Sequence, residues 1–128
     1  MSRTSRAGYL LLRIGVAALL CIHGSSRLYK HDVGGFGQFL ASQHVPLAHV
    51  VAWVLSLVEV VGTIALAAGF LVIPLCLWFA VELTAGIVLV HAHQGWFVVG
   101  GGTGGMEYSV LLIIALSAIA LIRRGATR

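Results

Sequence analysis

Two glutamates stand inside long apolar runs, Glu59 in "SLVEVVGT" and Glu82 in "FAVELTAG". A carboxyl in hydrocarbon is costly, so it turns toward a cavity, the protein interior or another polar group. There it can hold a proton, pass it on, or hydrogen-bond a buried ligand. His23, Arg27 and Lys30 recur at i, i+4 and i+7 and would line one stripe of a helix running through them. His91 and His93 close a third apolar run, Trp96 follows, and Glu107 and Tyr108 open a fourth. Histidines and carboxylates are the usual general acids and bases. The chemistry on offer is proton handling and hydrogen bonding at or within a membrane.

A membrane fold must position these groups. The chain has 128 residues, 59% of them hydrophobic and 9% charged, with a mean hydropathy of +1.02. Eight Lys and Arg with four Asp and Glu are too few to clothe a water-facing shell, which excludes an ordinary soluble domain. Four apolar segments cover residues 9–25, 47–69, 72–91 and 106–122. Each is near the ~20 residues a helix needs to cross the hydrocarbon, and backbone amides in lipid must be satisfied internally. The expected fold is an all-α membrane protein: a four-transmembrane-helix bundle forming one domain over residues 1–128. A short interfacial amphipathic helix is expected in the first outer loop, where Phe36, Phe39 and Leu40 share a face.

Basic residues set the orientation. Arg3, Arg6, Arg13, Arg123, Arg124 and Arg128 lie toward the two ends, against Arg27 and Lys30 in the first loop. Both termini are therefore expected in the cytoplasm. A cleaved signal peptide is the alternative for the first segment. Arg13 interrupts its apolar run, and cleavage would leave three spans and move the C-terminal arginines outside. The excess positive charge reads as topology, not as nucleic-acid binding.

On this topology His23, Arg27, Lys30, His91, His93 and Glu107 fall in the outer third. Glu59, ~18 Å from the outer start of its helix, and Glu82, ~15 Å from the inner start of its own, fall near the midplane. Ser56, Gly62 and Thr63 flank Glu59 at i−3, i+3 and i+4 as a stripe of small residues suited to close packing. Two carboxyls at one depth are expected to share a proton or to bond across helices. If the polar groups converge, they line a cavity open to the outer side. On a continuous helix His93 shares the face of Glu82 and His91 lies opposite, so either the helix frays before His91 or only one of the two joins the Glu82 face. Arg13 reads as an anchor reaching for the interface. Cys21 and Cys76 lack a C-x-x-C and read as small buried hydrophobes. Gly100, Gly102 and Gly105 spell G-x-G-x-x-G, but no βαβ unit surrounds them, so the run reads as a turn. No metal site is expected.

Taken in order, "LLLRIGVAALLCIHGSSRLY", "GFGQFLASQHVP", "VEVVGTIALAAGF", "VLVHAHQGWF" and "GGMEYSVLLI" resemble successive blocks of the DoxX family, small four-helix membrane proteins of bacteria and archaea. His23 and Gly24 match a His-Gly late in the first helix, and Arg27 or Lys30 the basic residue after it. Glu59 matches a glutamate of the second helix. His91 matches the histidine closing the third, with Gly95 and an aromatic behind it. Glu107 and Tyr108 match the start of the fourth. The chain departs from the family after its second helix, where "GFLVIP" lacks an arginine often found there. Glu82 and His93 match no family position. The resemblance implies the fold, a bacterial or archaeal plasma membrane location, and a looser link to membrane oxidoreductases of the thiosulfate:quinone type.

Joined to the polar groups, this gives the leading expectation: a quinone-interacting or redox-associated membrane subunit of an oxidoreductase assembly. The residues expected to do the chemistry are Glu59, His23, His91 and Glu107. His23, Arg27, Lys30, Glu59, Glu82, His91, Trp96 and Tyr108 are expected around the headgroup. The chain has no electron relay of its own, so a redox enzyme partner is expected beside the lipid bilayer, and a homo-oligomer is a further expectation. A non-catalytic anchor for soluble redox enzymes is the main alternative. A b-type haem on His23 and His91 and a small transporter are lesser ones.

Overall fold

The computed structural model describes residues 1–126, so Arg128, part of the charge count above, lies outside the described residues. Among the described residues the chain forms α1 (Arg3–Tyr29), α2 (Val33–Ser42), α3 (Ala48–Ala68), α4 (Val72–Leu89), a 3-10 turn (His91–Gln94) and α5 (Glu107–Ala126), with no strand. Helices α1, α3, α4 and α5 are long and apolar enough to cross a membrane. This is the all-α, four-span class that the hydropathy predicts, with the short helix in the first connection. Each span buries a narrow stripe and leaves large apolar side chains uncovered, among them Leu11, Ile22, Val61, Ile64, Leu77, Val81, Leu111 and Ile114. In a bilayer these form the lipid-facing surface.

The chain separates into two compact units, Ala17–Phe70 and Met1–Val16 with Leu71 onward. In the first, α3 buries Ala48, Ala52, Ser56, Glu59, Gly62, Thr63 and Leu66. The small-residue stripe read around Glu59 is thus the packed face of this helix. Helix α2 lies against α3 and buries Val33, Gly37 and Leu40 at i, i+4 and i+7. Gly37 is required there, because a Cβ would strike the His49 ring. Phe36 and Phe39 are half-buried at its side.

All three helices of this unit end in the same motif. Past α1, Asp32 N donates to Arg27 O (3.1 Å) and His31 N to Leu28 O (3.1 Å). Past α2, Val45 N donates to Leu40 O (3.1 Å) and His44 N to Ala41 O (3.0 Å). Past α3, Phe70 N donates to Ala65 O (2.9 Å) and Gly69 N to Leu66 O (3.1 Å). These are paired six-to-one and five-to-two bonds about a left-handed residue. That residue is Gly69 at φ +91° in α3, but His31 (φ +54°) and His44 (φ +61°) in the other two. The first apolar segment, read as residues 9–25, belongs to a longer helix. Hydropathy marks only the stretch matched to hydrocarbon, whereas the helix continues until the left-handed His31 stops it.

In the second unit α4 packs on α5. Val72, Cys76 and Phe79 are buried on one side, and Ser109, Leu112, Leu116 and Ile119 on the other. Both cysteines are free thiols. Arg13 corrects an expectation: it does not reach for the interface but is 8% exposed, its guanidinium 5.2 Å from the Tyr9 ring centroid. The third apolar segment, read to His91, ends as an α-helix at Leu89, because Val90 (φ −131°, ψ −65°) breaks the geometry. The reading in which the helix frays before His91 is therefore the one that holds, and the helical-face assignment of His93 with Glu82 does not apply.

Candidate functional site

Within the unit Ala17–Phe70 the polar residues gather where α1 meets α3. Gly24 allows the approach: a Cβ placed on it would lie 2.6 Å from Glu59 Cβ and 3.1 Å from its Oε2. One turn later Arg27 reaches across, and its Nη1 donates to Glu59 Oε2 at 2.7 Å and to Ser56 Oγ at 3.2 Å. Ser56 accepts there because its own proton is given to Ala52 O (2.7 Å). Thr63 donates to Glu59 O (2.5 Å) on the same face. From α2, Phe36 lays its ring against the guanidinium, with 4.1 Å from Cζ to the centroid. The Arg27 and Glu59 side chains are 14% and 7% exposed.

The pair is a balance of large opposing terms. Charges ~4 Å apart attract by about 4 kcal/mol at an effective dielectric near 20. Withdrawing each from water costs several kcal/mol. The aromatic face offsets part of that cost, by up to about 2 kcal/mol where water is excluded. Chemically the site offers a cation that does not lose its proton, a carboxylate that can gain one, and a flat apolar wall. Spacing within one helix placed Glu59 on a polar stripe, but its ion-pair partner is a cation on α1. Since Glu59 lies beside Gly24, five residues before the end of α1, the pair sits toward the C-terminal end of that helix.

The supposed basic stripe divides. Arg27 turns inward, while His23 and Lys30 are exposed. Helix α1 stops at Tyr29, so Lys30 lies beyond its end. The expectation assumed a helix continuing through all three residues.

The second unit holds His91, His93, Trp96, Glu107 and Tyr108 in and around one loop, with Glu82 half-buried in α4. The loop is closely bonded. Val98 N and Val99 N donate to Glu107 Oε1 at 2.6 and 2.8 Å, and Thr103 Oγ1 donates to Gln94 O. Met106 N and Glu107 N donate to Gly95 O and Trp96 O, each at 3.0 Å. Gly105 makes this crossing possible, since a Cβ there would enter the Trp96 carbonyl. His91 Nδ1 lies 2.7 Å from Gly104 O. A carbonyl only accepts, so Nδ1 carries the proton and Nε2 is the nitrogen left for other partners. Glu107 and His91 thus both bind the loop between them. His93, Trp96 and Tyr108 are exposed. Among the described residues no three His, Cys, Asp or Glu side chains are grouped to hold a metal ion.

Four apolar spans, a short packed helix and an ion pair within the span region define a multi-pass helical membrane protein in contact with the bilayer. The DoxX family profile matches residues 8–92, well over half of the chain. The chain belongs to the DoxX family. His23, Arg27, Glu59, Glu82 and His91 fall inside the matched segment; Glu107 and Tyr108 lie beyond it. No curated protein and no solved structure matches the chain.

Proposed function

We propose that this DoxX-family protein is a quinone-interacting subunit of a membrane oxidoreductase assembly, and that the quinone headgroup is recognised at Arg27 and Glu59. One observation carries the reading. Arg27 commits only Nη1, to Glu59 and Ser56, so Nε and Nη2 keep N–H donors outside any hydrogen bond among the described residues. Spare donors on a fixed cation, beside a carboxylate and an aromatic face, suit a planar apolar molecule with carbonyl oxygens. A bound quinone would supply two-electron, two-proton chemistry. The protein's part is to donate a hydrogen bond from Arg27, hold or release a proton at the Glu59 carboxylate, and wall off water with Phe36. The chain carries no electron relay, so a partner enzyme delivers electrons. His23, Lys30, Glu82, His91, Glu107, Trp96 and Tyr108 stay as lesser candidates. The His91 and Glu107 contacts support a loop-organising role first.

The test is quenching of tryptophan fluorescence by a short-chain ubiquinone or menaquinone analogue in proteoliposomes. Saturable quenching is expected in wild type, with the half-saturating concentration raised about tenfold in Glu59→Gln and Arg27→Gln, the loss of one charge-assisted bond. His91→Ala is expected to stay near wild type. No saturable quenching with either analogue, or equal affinity in all variants, would overturn the proposal.

A further inference from the structure

The loop between α4 and α5 carries four apolar residues in a row, Trp96, Phe97, Val98 and Val99. All four are exposed, Val99 at 77%. An uncovered run of this kind marks a contact with something apolar. No Asp, Glu, Lys or Arg falls between Glu82 and Glu107, so only His91 and His93 can carry a charge there.

The loop is stitched to the spans. Met106 N donates to Gly95 O and Glu107 N to Trp96 O, each at 3.0 Å. Trp96 is therefore held beside the first residue of α5, a helix long and apolar enough to span. Phe97 O accepts from Thr103 N (3.2 Å) and Gly105 N (3.0 Å), which closes the tip. The Val98 and Val99 amides would need water on a free loop, but Glu107 Oε1 accepts from both. Amides satisfied within the protein leave bulk water at lower cost.

The surroundings select the partner. Uncovered span residues flank the loop, Val88 near the end of α4 and Tyr108 and Leu111 at the start of α5. The apolar run is thus continuous along the chain with the surface that meets lipid. A protein-docking surface carries a polar rim, whereas residues 100–105 are glycine save for Thr103. Tryptophan suits the headgroup level, where its ring is half in water. Glu107 limits the depth, since a carboxylate is costly in hydrocarbon.

We propose that residues 96–99 are a membrane-seated loop, their side chains entering the headgroup and upper acyl region of the leaflet that the α4–α5 connection reaches, with Glu107 holding the shape. The partner is the lipid surface. The inference does not depend on the quinone reading.

The test uses the full chain in quinone-free phosphatidylcholine vesicles, with Trp53→Phe and Trp78→Phe leaving Trp96 as the single tryptophan. Trp96 is expected to lose about half its emission to lipid brominated high on the acyl chains, and less to lipid brominated near the chain ends, as an interfacial ring should. Acrylamide is expected to quench it severalfold less than free tryptophan amide. Phe97→Ser with Val99→Ser is expected to lower the bromolipid quenching about twofold by lifting the loop. The difference between wild type and Trp96→Phe gives the same signal should the Trp53 and Trp78 variant fail to fold. Full acrylamide access without bromolipid quenching would leave the loop in water, free for a water-borne partner, and overturn the proposal. Shielding lost as the protein is diluted in lipid would assign the loop to a second copy and overturn it too. So would bromolipid quenching unchanged by the double serine variant, since Trp96 would then report only the neighbouring span.

Discussion

Removing the Glu59 carboxylate should cost far more than removing the whole pair. In Glu59→Ala, Arg27 loses a 2.7 Å partner while its side chain stays only 14% exposed. A buried ion stripped of its partner typically costs 3–5 kcal/mol. The Phe36 face and the Ser56 oxygen still attend the guanidinium, so the lower end, about 3 kcal/mol, is expected. Arg27→Met with Glu59→Leu replaces both ions by apolar groups of similar size. It should unfold within about 1 kcal/mol of wild type, because both desolvation costs vanish with the attraction. The cycle closed with Arg27→Met and Glu59→Leu as the single variants should give a coupling of at least about 2 kcal/mol. Unfolding in dodecyl maltoside micelles titrated with SDS, followed by tryptophan fluorescence, supplies the values. A Glu59→Ala cost below about 1 kcal/mol, or single-variant costs that add, would refute the reasoning. The double variant should stay folded yet lose saturable quinone quenching, which separates the site's chemistry from its contribution to stability.

Two glycines of α1 should respond in opposite directions. Gly24→Ala drives a methyl into Glu59 and should destabilise by about 1–3 kcal/mol. Gly15→Ala meets nothing within 4 Å and should be neutral or stabilising by up to about 1 kcal/mol, both measured by the same titration. Glu107→Ala leaves two loop amides without their acceptor; hydrogen exchange at Val98 and Val99 should speed up about tenfold, with the spans unaffected. His44→Gly should raise the melting temperature or leave it unchanged, since glycine takes the left-handed conformation without the roughly 1 kcal/mol penalty of other residues. A fall would show that the His44 side chain does more than cap α2.

The spans were legible because lipid imposes one rule on every residue: a long run of apolar side chains can satisfy its backbone only as a helix. The buried stripe of α3 was legible for a related reason, since Ser56, Gly62 and Thr63 are small enough to let another helix come close. Partnerships between helices were not. Nothing in the spacing of His23, Arg27 and Lys30 says that Arg27 alone turns inward, because that choice follows from Gly24 and from the end of α1 at Tyr29. Arg13 was misread for the same reason, as a long cationic side chain near a helix end is compatible with either an interface or a buried ring. Glu107 looked like a helix-start acid. Its two loop amides come from Val98 and Val99, residues whose return toward α5 depends on a glycine crossing at Gly105 that no periodicity records.

The permanence of the Arg27 charge has a consequence for anything that happens beside it. A guanidinium does not give up its proton, so the site is electroneutral only while Glu59 is ionised. A proton arriving alone at Glu59 would strand a positive charge under Phe36, in surroundings that solvate it poorly. A proton arriving together with an electron on a neighbouring acceptor would leave the net charge unchanged. Under the quinone reading proposed above, the pairing of these two residues would favour coupled movement of the two particles over separate steps, through charge balance alone.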